Sequence, residues 1–375
     1  MHDLIINDYK ILFKKVLREH FLKQLTNFLK SKQYLAIQDW PGYKKEEGIV
    51  VAQNILSAVL KIIKLSSEVS GITEEIIKGE FFANLKICFE IANKENHKLI
   101  VSIIHNLVNG KGNNDDIVNN ITTDHFSQLS NLKFIETYGL IKEYYNKEMI
   151  VEVLLFLSCL CRKSQNVYSA LHGLNILPDL KFLLENSDSS VKSRVCNLIG
   201  NMCRHTDFFY DELRICGMVP SLLKCCYDSD KSTRKFACFA IGNAAFMNDK
   251  LYEHFRPVIP KMVELLQDPE DNTRANSAGA LGNFVRCGDS LCNDILVNQA
   301  HEALLSLAET EEIPTQIPII KVALFALGNF CYHQLIKNEL DKINFKSRID
   351  ILRSKFRNEA QLLEHIERIR KKLRE

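Results

Sequence analysis

Apolar residues recur at three-and-four spacing along most of the chain. Ile49, Val50, Ile55, Leu56, Val59 and Ile63, with Gln53 on the same stretch, trace one such pattern, which predicts amphipathic helix. Alternating runs of strand type are few. Helices are expected over Lys10 to Lys30, Ile49 to Leu65, Phe81 to Ala92 and His97 to Val108, with a loop at Gly110-Lys-Gly-Asn-Asn-Asp-Asp116. The longest apolar runs, Ile49 to Leu60 and Met149 to Cys161, carry Gln, Asn or Glu and stop short of the roughly 18 residues of a membrane span. Charges are mixed into the first twenty residues, which argues against a signal peptide and for an intracellular chain.

The second half is periodic. Leu198-Ile-Gly-Asn201, Ala240-Ile-Gly-Asn243, Ala280-Leu-Gly-Asn283 and Ala326-Leu-Gly-Asn329 share a Gly-Asn pair, and Gly200, Gly242, Gly282 and Gly328 lie 42, 40 and 46 residues apart. Pro178, Pro220 and Pro260 each precede the glycine of their unit by 22 residues, and Asp188, Asp230 and Glu270 precede it by 12. Three markers in register define a repeat. Within each unit a helix opens near its proline, an acidic residue breaks it and caps the next, and a longer helix carries the glycine, which lets a neighbouring helix approach closely.

This order resembles the armadillo repeat: a short helix, a helix with Ile-Pro near its start, an acidic turn, then a long third helix ending in Ala-Leu-x-Asn. The expected fold is all-α, an armadillo/HEAT-type right-handed α-solenoid. Ser158 lies 42 before Gly200, and Cys161-Arg162 aligns with Cys203-Arg204, which marks an earlier degenerate copy. The fourth unit carries about five extra residues near Glu309 to Pro318. The division expected is 1–140 as degenerate helical repeats, 141–340 as armadillo repeats and 341–375 as a C-terminal amphipathic helix. Its stripe of Ile349, Leu352, Phe356, Leu363, Ile366, Ile369 and Leu373 would cap the array or pair with a partner helix.

Composition narrows the function. Lys and Arg number 48 against 46 Asp and Glu, a net charge of +2, which excludes a strongly basic nucleic-acid coat protein and an acidic disordered chain. The 12 cysteines lack C-x-x-C spacing at Cys159/Cys161 and Cys225/Cys226 and read as reduced core residues. Nucleotide, kinase, hydrolase and zinc-protease signatures are missing, and Gly110-Lys-Gly112 lacks the ending of a phosphate loop. His205 and His333 have no partner at ligand spacing, and Asn120-Ile-Thr122 means little in an intracellular chain. The reading is therefore a non-enzyme with no cofactor, no metal, no nucleic acid and no membrane among its partners.

Armadillo arrays bind along the concave wall of their third helices. Positions seven before, four before and three after each repeat Asn share its face. They are Arg194, Asn197, Asn201 and Arg204; Phe236, Phe239, Asn243 and Phe246; Asn276, Gly279, Asn283 and Arg286; Val322, Phe325, Asn329 and Tyr332. No carboxylate stands at any of the sixteen. One reading is a groove for an extended peptide, in which Asn amides pair with backbone N–H and C=O, Arg holds carboxylates and Phe adds apolar contact. The other is structural: Asn ties adjacent helices together and the Phe residues are core. Import receptors of the importin-alpha type place Trp four before each Asn and use acidic residues for a basic cargo. Here those positions are Asn197, Phe239, Gly279 and Phe325, and the single Trp is Trp40, which disfavours a nuclear-import adaptor.

Gly200-Asn-Met-Cys-Arg-His-Thr-Asp-Phe-Phe-Tyr210, Arg234 through Phe246 and Asp268 through Arg286 resemble the C-terminal armadillo region of the Fused (serine/threonine kinase 36-like) family. The likeness covers roughly residues 150–335. It implies a scaffold of the ciliary axoneme, at the central apparatus, linked to microtubules and a kinesin-like protein. The alternative is the C-terminal regulatory half of a cytoplasmic signalling kinase in a Hedgehog-type pathway. The family's N-terminal kinase domain is missing from this sequence, so no kinase activity carries over. Arg162 and Arg204 are 42 apart and Arg286 holds the same place two units on. With Arg194 they form a row suited to an acidic tail of tubulin or an acidic stretch of a kinesin-like partner. The opposing expectation is that each Arg pairs with a carboxylate of its own repeat, such as Asp207 or Asp289.

Overall fold

The computed structural model describes residues 24, 25, 27–29, 44–67, 84, 85, 88, 89, 91–109, 147–310 and 316–374. The expected helices at 10–30 and 81–92 lie partly outside these residues, and the 110–116 loop, Trp40, Asn120 and residues 311–315 of the fourth-unit insertion lie wholly outside them. Among the described residues there is no strand. The chain forms two compact units, Met1–Leu174 and Asn175–Glu375.

In the first unit, Lys45–Ser67, Lys94–Asn109 and Lys147–Lys163 are its long helices, and consecutive ones pack together. Ala52, Leu56, Leu60 and Ile63 supply the buried face of the first. Gln53 clasps the next segment: its Nε2 donates to Ile91 O at 2.9 Å, and its Oε1 accepts from Asn93 N and Asn96 Nδ2 at 3.0 and 2.9 Å. Lys45–Ser67 corrects the membrane reading in one respect. By length and composition alone it could cross a bilayer, because the unbroken apolar run undercounts a helix whose polar residues sit on one side. Here Ala52, Leu56, Leu60 and Ile63 are buried, while Ile49, Val50 and Leu65 are exposed.

The second unit is a stack. Its long third helices are α1 (Ser189–Met202), α2 (Lys231–Ala244), α3 (Asp271–Asn283) and α4 (Ile317–Phe330). Each packs on the next. Their starts follow the acidic markers: Asp188 accepts from the backbone N–H of Ser190 and Val191, Asp230 from Thr233 and Glu270 from Thr273. Each such cap contributes about 1 kcal/mol. Pro178 and Pro260 sit in the first turn of their helices, where no N–H is needed. Ile199, Ile241, Leu281 and Leu327, one residue before each glycine, are fully buried, and each contributes about 1.5–3 kcal/mol of burial.

The glycines differ in what they permit. A Cβ on Gly282 would fall 2.7 Å from Cα and Cβ of Ala326, and one on Gly200 would fall 2.5 Å from the Phe239 ring. At Gly242 the nearest atoms, in Ala280, are 3.6 Å away, an ordinary contact. All three are buried, but only Gly200 and Gly282 are required by close approach.

The C-terminal segment is not one helix. Gln334–Lys342, Phe345–Lys355 and α5 (Ala360–Lys372) repeat the short–second–long order of the preceding units. A left-handed residue precedes the second helix of this unit and of three others: Asn344 (φ 55°), Asn175 (φ 49°), Gly217 (φ 67°) and Gln299 (φ 54°). The segment is a fifth repeat without the Gly-Asn signature. Its long helix packs on α4, burying Leu362, Ile366 and Ile369.

Candidate protein-binding wall

The Asn row lies where the wall helices meet. Asn243 Nδ2 donates to Gly200 O at 2.8 Å, Asn283 Nδ2 to Gly242 O at 2.9 Å and Asn329 Nδ2 to Gly282 O at 3.0 Å. Each Asn thus ties its helix to a carbonyl of the preceding one. Asn201 bonds within its own helix, to Asn197 O at 3.1 Å. Asn276 adds a tie seven residues earlier, to Lys235 O at 3.0 Å. A buried carbonyl left unpaired costs about 1–3 kcal/mol, so these bonds carry a structural role. At Asn329 the amide oxygen is also taken, by Arg368 Nη2 at 2.6 Å. The two-way amide pairing with a peptide expected from sequence is therefore closed there.

A tyrosine lock escaped the sequence reading. Tyr210 OH donates to Asn243 O at 3.0 Å, and Tyr252 OH bonds Asn283 O. Burial pushes both phenols well above the usual tyrosine range. Tyr210 and Tyr252 are 42 apart, so the signal was present, but Cys292 stands at the equivalent place one unit later and breaks it. His333 Nε2 bonds Val285 O at 2.5 Å, another tie between units.

The aromatic residues of the wall, Phe236, Phe239, Phe246 and Phe325, are half-buried, and Tyr332 is 56 % exposed. They are neither sealed core nor free. The cations divide by location. In the first turns of α1 and α2 the half-buried ones are paired: Lys192 with Asp228 at 3.4 Å, Arg234 with Asp268 at 2.7 Å and Lys235 with Glu270 at 3.8 Å. On the Asn face they are not. Among the described residues no carboxylate pairs with Arg194, Arg204 or Arg286. Asp207, the partner proposed from sequence, is held by Lys250 at 3.0 Å and Asn248 at 2.7 Å. The Lys250 contact holds its carboxyl below the usual range.

Arg286 stacks on Phe246, with Cζ 4.0 Å from the ring centre, and its Nε donates to Phe246 O at 3.2 Å. Arg162 belongs to the first unit, where it is exposed and its Nη2 donates to Cys159 Sγ at 3.7 Å. Two further cations of the wall were not singled out from sequence. Arg368 Cζ lies 5.3 Å from the Phe325 ring and 5.5 Å from Tyr332, and Lys372 Nζ lies 4.5 Å from Tyr332. The missing Gly-Asn pair hid this unit, and with it the register of its residues. All 12 cysteines are free thiols. Ten are buried, Cys216 is half-buried, and exposed Cys287 departs from the core reading.

Residues 258–288 match the HEAT repeat family. Over 210 residues the chain is 44 % identical to serine/threonine-protein kinase TIO of Arabidopsis thaliana. That match covers 53 % of this chain and 16 % of the kinase, so the chain spans a small part of that relative's length. It supports a Fused-related armadillo/HEAT repeat region. Among solved structures, an engineered protein superposes with TM-score 0.69 at 14 % identity, covering 98 % of this chain and 99 % of its own. A designed armadillo repeat protein in complex with peptide (KR)4 gives TM-score 0.58 at 17 % identity, covering 64 % of this chain and 100 % of its own. These likenesses fix the fold, an all-α solenoid of armadillo/HEAT type.

Proposed function

We propose that this chain is a non-enzymatic scaffold which holds an extended, acidic segment of a protein partner along the Asn face of its long helices. The observation that carries this reading is the sorting of cations. Lys192, Arg234 and Lys235 at the turn edge are neutralised within the fold, and Arg194, Arg204 and Arg286 on the Asn face are not. An arginine left without a carboxylate beside an aromatic ring is a ready acceptor of an anionic side chain. The designed armadillo relative is described with a basic peptide. The unpaired cations of this wall would instead select an acidic ligand. Binding by pulldown of acidic peptides, lost on Arg204→Glu with Arg286→Glu, tests the reading.

For the setting of this scaffold we propose two readings, both suggested by the Fused-type resemblance and the match to a kinase. The first is the ciliary axoneme, at the central apparatus, with a tubulin tail or a kinesin-like protein as the acidic partner. The second is the regulatory half of a cytoplasmic signalling kinase, which the kinase name of the matched relative favours. A tagged chain expressed in ciliated cells separates them. Retention on detergent-extracted axonemes supports the first setting. A diffuse signal removed by detergent, with a native transcript that continues upstream into a kinase domain, supports the second.

A further inference from the structure

The row three residues after each repeat Asn reads Arg204, Phe246, Arg286, Tyr332, and α5 then brings Arg368 and Lys372 onto Tyr332. Cation and ring alternate from unit to unit. The rings are not spacers only. Phe246 carries Arg286 at 4.0 Å, and Phe325 and Tyr332 flank Arg368 at 5.3 and 5.5 Å. Stacking and the bonds from Arg286 to Phe246 O and from Arg368 to Asn329 Oδ1 fix two guanidinium groups in place. Among the described residues neither of them, nor exposed Arg204, has a carboxylate partner.

Resting on the reading above, we propose that this row imposes a spacing: the bound segment presents an acidic side chain at every second unit, with apolar or aromatic residues between. Stacked long helices lie about 10 Å apart, so Arg204 and Arg286, at equivalent places two units apart, are about 20 Å apart along the stack. An extended chain advances about 3.3 Å per residue, so the acidic positions fall about six residues apart. A phosphate backbone fits poorly, because it places a charge every few ångströms. Sparse carboxylates on a polypeptide match sparse cations.

The test uses the full chain and dye-labelled synthetic peptides of about 20 residues, identical in composition, with three glutamates spaced by about six, by about three, or clustered. Fluorescence anisotropy at low salt reads affinity. The six-spaced peptide is expected to bind about tenfold tighter than the clustered one. Arg286→Gln should remove that advantage and leave the peptides equal. Arg286→Lys, which keeps the charge but not the planar stack on Phe246, should retain part of it. Thermal melts of both variants establish that they fold. Equal binding of all three acidic peptides to the unaltered chain overturns the spacing and leaves the acidic-partner reading standing. Failure of every acidic peptide to bind, or tighter binding of single-stranded oligonucleotide of equal charge, overturns both.

Discussion

The turn edge and the Asn face of the second unit use the same residue types for opposite ends. At the edge, Lys192 meets Asp228 and Arg234 meets Asp268, one repeat step apart, and the acceptors also bond the backbone of Asp230 and Glu270. Asp268 is 3 % exposed. On the Asn face, Arg204 and Arg286 reach solvent with no carboxylate beside them, and Arg286 rests on a ring. A buried ion pair cannot lose one member cheaply, whereas an exposed cation contributes little to stability. The edge therefore holds the units together, and the face is left with charge to spend on a partner.

The largest effect that would sharpen this contrast is at the edge. Arg234→Ala strands the Asp268 carboxylate and frees the carbonyls of Asp228 and Ser229 that the guanidinium also holds. It should lower unfolding stability by about 3 kcal/mol in a urea titration. Next come the helix crossings. Gly282→Ala drives a methyl into the Ala326 backbone and should cost about 1–3 kcal/mol. The same change at Gly242 meets open van der Waals distance and should stabilise by about 0.5–1 kcal/mol through helix propensity. If both changes cost alike, the two crossings are equally tight and the geometric distinction fails.

Acid should act on the edge as well. Burial pushes the Asp228 carboxyl up, but bonds from Asp230 N–H, Ser189 and Lys192 outweigh it and leave the group below its usual range. Burial of Glu270 is outweighed in the same way by Asn272, Thr273 and Lys235. A carboxylate with a lowered folded pKa contributes stability that is fully present above its unfolded value, about 4, and is lost as pH falls through the folded value. Stability should hold from neutral pH to about 4 and then decline. Asp228→Asn should flatten that decline, as read from melts across the acid range.

What was legible in the sequence is what recurs with one residue type. The Gly-Asn pairs, the prolines and the caps Asp188, Asp230 and Glu270 gave the register and the helix starts. What was not legible is what recurs in role with changing type. Asn175, Gly217, Gln299 and Asn344 share a left-handed turn through three residue types. The fifth repeat lost its Gly-Asn pair, so its second and long helices read as one amphipathic stripe and Arg368 went unseen. Asn243, Asn283 and Asn329 recur at one place in the register, but spacing alone did not separate the tie that Asn243 makes to Gly200 from a tie to a ligand. Both need the same amide at the same place.

The sharpest single measurement pairs stability with binding in two double variants. Arg204→Glu with Arg286→Glu should melt within about 1 °C of the unaltered chain, since exposed charges contribute little. It should lose capture of an acidic peptide, and with it the steep salt dependence of that capture. Lys192→Ala with Arg234→Ala should do the reverse: a lower melting temperature, with peptide affinity kept at temperatures where the chain is folded. If the Asn-face variant unfolds early, or still binds the acidic peptide at low salt, the division between a structural edge and a binding face is wrong.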